Sequence, residues 1–172
     1  MSLTIRRLSM AAGAEISGID LKRPLNADVV QEVKQALGTY GILLFRNADL
    51  NPAEHVAFSG QFGPLESHVV GEFDLPDHPE VFVVSNVREN GKLKGAVYAG
   101  QYWHSDLSYM QKPSLGSLLL CHEMPEIGGD TMWANMYLAY DTLSDTMKNF
   151  LGGLKAVHDY SHAYDTYFAH LK

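Results

Sequence analysis

One cysteine in 172 residues, Cys121, excludes an intrachain disulfide and any multi-cysteine zinc or iron–sulfur site. A chain so poor in cysteine reads as a protein of a reducing compartment, the cytoplasm. Long apolar runs are missing as well. None approaches the roughly 20 residues needed to cross a bilayer, so no membrane segment is expected. Arg6-Arg7 followed by Ala12-Gly13-Ala14 mimics a secretion signal, but Ser9, Gly13 and Glu15 interrupt the short stretch, which reads as mature sequence. Basic charge is scarce: 13 Lys and Arg against 20 Asp and Glu leave a formal charge of −7. With no Lys/Arg cluster, neither nucleic acid nor an anionic membrane surface is an expected partner. Internal repeats, low-complexity tracts and Gly/Ser/Pro linkers are also absent.

What is present suffices for a core. Hydrophobic residues make up 46% and aromatic residues 10% of the chain, which rules out wholesale disorder. Residues 1–172 read as a single domain, or part of a larger one. Residues 3–8 and 14–19 alternate as short strands. Asn26 caps a helix carrying Val29, Val30, Val33, Leu37 and Tyr40 at helical spacing, closed by Gly38 and Gly41. Residues 41–45 then read as a buried strand. Asn51-Pro52 opens a second helix, with His55, Val56, Phe58 and Phe62, that stops at Gly63-Pro64. Beyond it the pattern turns to β. Strands are expected at 81–87, 102–109, 117–122, 131–135 and 155–160, with a hairpin at Asn90-Gly91 and a helix opened by Ser144. Helices followed by short strands suggest an α+β chain built around a β-sandwich or barrel.

The segment richest in chemistry is Tyr102-Trp103-His104-Ser105-Asp106-Leu107-Ser108-Tyr109. In a strand, residues i and i+2 share a face, so His104 and Asp106 project together while Trp103 and Tyr109 point to the core. An imidazole and a carboxylate on one face supply two of the three ligands of a 2-His-1-carboxylate iron site. Spacing alone is weak, because eight His and eleven Asp in this length give about 0.5 chance His-x-Asp matches. His78-Pro79-Glu80 is such a decoy, expected in a loop. Cys121 reads as a small buried hydrophobe beside a structural His122, Met132 and Met136 as core filler, and His55 as a boundary residue.

The wider pattern is more specific. Trp103-His104-Ser105-Asp106, then Pro113 and Leu115-Gly116-Ser117, then Pro125-Glu126-Ile127-Gly128-Gly129-Asp130-Thr131, then Trp133-Ala134-Asn135-Met136 follow in order. Gly13-Ala14-Glu15-Ile16-Ser17-Gly18-Ile19-Asp20, Phe62-Gly63-Pro64-Leu65-Glu66 and Ala156-Val157-His158-Asp159-Tyr160 flank them. With these motifs the chain resembles the Fe(II)/2-oxoglutarate-dependent dioxygenase family that contains taurine dioxygenase and the phenoxyacetate dioxygenases (TauD/TfdA). The resemblance runs from Ile5 to Tyr164.

It implies a double-stranded β-helix, the cupin-like jelly roll, with flanking helices and Fe(II) at one open end. His104 and Asp106 match the first two metal ligands, and Thr131 a hydroxyl that hydrogen-bonds a 2-oxoglutarate carboxylate. His68 matches a histidine beside the substrate's anionic group, and Tyr164 an aromatic wall of the pocket. The implied reaction consumes 2-oxoglutarate and O2, releases succinate and CO2, and hydroxylates a small anionic substrate: a sulfonate, an alkyl sulfate or an aryloxy acid. Asp106 in place of Ala or Gly favours hydroxylation over halogenation. Gly100 stands where taurine-specific members carry a polar contact residue, and Ser85-Asn86-Val87 and Tyr160-Ser161-His162 lean toward the phenoxy-acid branch. Self-association, as a homo-oligomer, fits the family's habit and the open sheet edges.

The resemblance also requires a second histidine ligand well over a hundred residues after the first, and an arginine for the distal carboxylate of 2-oxoglutarate. The chain continues 68 residues past His104, and its last arginine is Arg88. His158 matches a family position that is not the ligand, and His162 and His170 read as surface histidines. The expectation is therefore a domain truncated before its C-terminal barrel strands. Two alternatives stand beside the enzyme: a catalytically inactive fragment, and a non-catalytic β-barrel binding module. A two-ligand zinc site ranks below both.

Overall fold

In the computed structural model, residues 3–68, 71–97 and 99–161 are described. The chain opens with an antiparallel hairpin of β1 (Thr4–Arg7) and β2 (Ala14–Ser17), in the register Thr4↔Ser17 to Arg7↔Ala14. Helix α1 (Ala27–Tyr40) then crosses over, so that β3 (Leu43–Phe45) pairs parallel to β2 and the sheet order is β1-β2-β3. Both ends of α1 are set locally. The Asn26 side chain accepts from the Val29 N–H, and Gly41, at φ 72°, donates its N–H to the Leu37 carbonyl.

Helix α2 (Pro52–Gly60) starts with a capping box, in which Asn51 and Glu54 each accept the other's backbone N–H at 2.9 and 2.8 Å. It ends at Gly60, earlier than Gly63-Pro64 suggests, because Gln61 and Phe62 donate to Phe58 and Ser59 in a tighter last turn. Phe58 meets Phe45 and Phe62 edge-on at 5.7 and 5.2 Å between ring centres. Among the described residues, the buried apolar residues Ala14, Ile16, Val33, Ala36, Leu50 and Phe58 all come from this first layer, and only Ala96 joins them from beyond it. Burying Phe58 alone contributes about 1.5–3 kcal/mol.

Two small antiparallel pairs follow. β4 (Asp74–Leu75) pairs with β5 (His78–Phe82), which packs against α2, and β6 (Arg88–Glu89) pairs with β7 (Lys92–Leu93). Asn90 and Gly91 take φ 51° and 81°, the double left-handed turn their sequence demands. The decoy His78-Pro79-Glu80 forms the start of β5 instead of a loop; Pro79 is tolerated because the pair is only two strands wide. Ladder pairing in the expected strand 81–87 stops at Phe82. Beyond it Val83 donates to Phe73 and its carbonyl accepts from Ala96, both at 2.9 Å.

The larger differences lie after residue 100. None of the expected strands at 102–109, 117–122, 131–135 and 155–160 forms a ladder. At 102–109 the cause is visible. Leu107 is left-handed at φ 52°, and bonds from Ser108 to Ser105 and from Met110 to Leu107 bend the chain into successive turns. The others run irregularly and mostly exposed, with no strand beside them among the described residues to complete a ladder. Two short helices intervene. α3 (Met136–Asp141), unforeseen, is capped by Asn135, whose Nδ2 also donates to the Ala11 carbonyl at 2.6 Å. α4 (Asp145–Leu151) is capped by Ser144 as expected.

Trp103, Met132, Met136 and Cys121, expected inside, are all exposed. Tyr109 is half-buried. The architecture is thus α+β, with separate sheets of three, two and two strands and no closed barrel among the described residues.

Candidate metal centre

The turns at 105–110 bring His104 and Asp106 closer than strand spacing would. His104 Nε2 lies 3.0 Å from Asp106 Oδ1, with both side chains partly open to solvent. His104 Nδ1 is 2.7 Å from the Tyr102 carbonyl. A carbonyl can only accept, so Nδ1 carries a proton, and Nε2 faces the carboxylate either with its lone pair or, in the imidazolium, with a second N–H. Two acceptors at this distance repel unless a cation, either a proton or a metal ion, lies between them. Two ligand atoms at right angles on a metal with bonds of about 2.1 Å are themselves about 3 Å apart, so the pair fits adjacent corners of an octahedron. Asp106 Oδ2, the outer oxygen, accepts from Ser117 Oγ at 2.6 Å. Gly100, left-handed at φ 76°, lies against the His104 ring: a Cβ there would lie 3.7 Å from Cε1, in ordinary van der Waals contact.

An aromatic cluster adjoins the pair. The His68 ring stacks on Phe82 at 4.2 Å and meets Tyr160 edge-on at 6.4 Å, and Tyr160 stacks on Tyr109 at 4.8 Å. Burial pushes His68 below the usual imidazole range, while the charges of Asp74 and Asp106 work in the opposite direction. Burial likewise raises the Tyr109 phenol, helped by the charges of Glu66 and Asp106. The Tyr109 hydroxyl is buried without a hydrogen-bond partner among the described residues.

Of the five residues singled out in the sequence, His104 and Asp106 thus touch, and His68 lies within the field of Asp106. Thr131 is exposed in an irregular stretch and takes part in none of these contacts. Tyr164 lies outside the described residues. Among the described residues no group of three His, Cys, Asp or Glu side chains gathers to hold a metal ion. Sequence reasoning assigned no role to Ser117 or to the Tyr102 carbonyl. The carbonyl sits two residues before the histidine, a local position that could have been searched. Ser117 lies 11 residues from Asp106, and no periodic signal joins them.

The chain matches the family model for "Taurine catabolism dioxygenase TauD, TfdA family" over residues 4–171, and it belongs to that family. It is 32% identical over 168 residues to the alpha-ketoglutarate-dependent 2,4-dichlorophenoxyacetate dioxygenase of Cupriavidus pinatubonensis, covering 92% of this chain and 58% of that protein. It is 35% identical over 164 residues to the alkylsulfatase of Acinetobacter baylyi, covering 95% and 48%. Among solved structures it is similar to a taurine dioxygenase from Burkholderia xenovorans, with a TM-score of 0.66 and 31% identity over 89% of this chain and 52% of that one. The chain spans about half the length of the curated relatives it matches.

Proposed function

We propose that the protein is an Fe(II)- and 2-oxoglutarate-dependent dioxygenase that hydroxylates a small anionic substrate: a sulfonate, an alkyl sulfate or an aryloxy acid. The observation that carries this reading is the 3.0 Å approach of His104 Nε2 to Asp106 Oδ1, in a chain of this family. Relatives named for 2,4-dichlorophenoxyacetate, alkyl sulfatase and sulfate ester chemistry support the substrate class. In the balanced reaction one O2 is divided: one atom enters the substrate C–H as hydroxyl and the other enters succinate as 2-oxoglutarate loses CO2.

His104 and Asp106 hold the metal ion. Fe(II) there supplies the open coordination positions and the redox chemistry that couple decarboxylation to hydroxylation. The Tyr102 carbonyl fixes the His104 tautomer so that Nε2 faces the metal. The Thr131 hydroxyl donates to a carboxylate of 2-oxoglutarate. His68, set on Phe82, stands beside the substrate's anionic group, with Tyr164 as an aromatic wall.

The fold of the whole is a double-stranded β-helix, of which residues 1–172 form the front part. The family's second histidine ligand and its arginine for 2-oxoglutarate have no match among the motifs of residues 1–172. Leu119, Ile127, Met132 and Val157, each at least 70% exposed, support a surface that further strands or a second copy cover. The solitary Cys121 is in keeping with a cytoplasmic site.

The test supplies the intact protein with Fe(II), 2-oxoglutarate and O2 and measures succinate against a panel of sulfonates, alkyl sulfates and aryloxy acids. Succinate formation stimulated by one of these classes is expected. A non-catalytic binding module would instead bind the acid and release no succinate.

A further inference from the structure

We infer that Ser117 is a positioning residue that restricts Asp106 to binding a metal through one oxygen, Oδ1; this rests on the reading of His104 and Asp106 as metal ligands. The Ser117 Oγ–H donates to Asp106 Oδ2 at 2.6 Å, a length typical of a hydroxyl bound to a charged carboxylate. Oδ1 is left turned to His104 Nε2. A carboxylate free at both oxygens can swivel, so that Oδ1 no longer points where the ion bound by His104 Nε2 needs it and the metal is held more weakly. With Oδ2 engaged, that swivel requires breaking the serine hydrogen bond.

The residues on either side of Ser117 lie beside the two capped helices. On one side, a Cβ placed on Gly116 would lie 3.7 Å from Leu37 Cδ2 of α1, so the chain at 116 runs close against that helix. On the other, the Leu118 backbone lies close enough to the His55 imidazole of α2 to favour its charged form. The backbone that carries the hydroxyl therefore runs beside the two capped helices, although Ser117 is exposed and Asp106 sits on a turn with a left-handed residue beside it. Ser117 transmits the rigidity of α1 and α2 to a carboxylate that its own loop holds only weakly. Outer partners of this kind typically alter metal affinity by about 10–100-fold.

The experiment titrates Mn(II) into the intact protein and follows free and bound ion by electron paramagnetic resonance, for the parent, Ser117→Ala, Ser117→Thr and His104→Ala. Ser117→Ala should bind Mn(II) about 10–100-fold more weakly. Ser117→Thr, which keeps the hydroxyl, should return to within about threefold of the parent, and the KM for 2-oxoglutarate should rise in the alanine variant more than kcat falls. Parent-like affinity in Ser117→Ala, with affinity lost in His104→Ala, overturns the role of Ser117 and leaves the metal site standing. Failure of the threonine to rescue also overturns it. Undiminished affinity in His104→Ala overturns the metal site itself, and this inference with it.

Discussion

Replacing Gly95 by alanine should destabilise the fold markedly, although it adds only one methyl group. Gly95 follows the β6–β7 hairpin and crosses the end of β5. A Cβ at this position would lie 2.7 Å from the Val83 carbonyl oxygen, 2.8 Å from the Ser85 nitrogen and 2.9 Å from the Ser85 Cβ. Carbon–oxygen contacts normally begin at about 3.3 Å, so the carbonyl must retreat by roughly half an ångström. It cannot do so freely, because it accepts the Ala96 N–H at 2.9 Å and so holds one of the buried residues in place. Overpacking of this kind costs about 1–3 kcal/mol, and weakening the hydrogen bond adds about 0.5–1.5 kcal/mol. With a urea m-value near 2 kcal/mol/M, the unfolding midpoint should fall by about 1–2 M at unchanged m. Gly60→Ala is the matched control. Nothing lies within 4 Å of its added methyl, and it ends helix α2, where alanine stabilises by up to about 1 kcal/mol. A Gly95→Ala midpoint equal to the parent's would refute the reasoning.

Two further outcomes follow from the same geometry. Asn51→Ala removes the capping box of α2 and should lower stability by about 1 kcal/mol, read as a urea midpoint shift, whereas Asn51→Ser should lose much less. Burial holds the His55 imidazole below its usual range, so below about pH 6.5 the unfolded chain binds a proton that the folded one resists. Stability is therefore full above that pH and falls as the pH drops toward the depressed folded value. His55→Gln should reduce this acid-side decline when urea midpoints are compared between about pH 5 and 7.5, leaving the slope due to His68, which shifts in the same direction.

The first half of the fold was legible because its signals are local. Asn26 and Gly41 bracket α1, Asn51-Pro52 opens α2, and Asn90-Gly91 turns the hairpin; each acts within a few residues of itself. The stretches at 117–122 and 131–135 carry strand-like composition, but a strand exists only with a partner, which no local pattern supplies. The proximity of His104 and Asp106 was foreseen on strand spacing, yet it arises from turns and a left-handed Leu107. The Ser117–Asp106 contact escaped the sequence for a different reason: Gly116 runs against α1 and Leu118 lies beside His55 of α2, placements that depend on the tertiary fold.

The most direct test of the central claim is anomalous diffraction at the manganese edge from crystals of the intact protein grown with Mn(II) and 2-oxoglutarate. The account predicts one strong peak at about 2.1 Å from both His104 Nε2 and Asp106 Oδ1, within octahedral coordination. A peak elsewhere, with His104 and Asp106 paired to each other and to no metal, would contradict it.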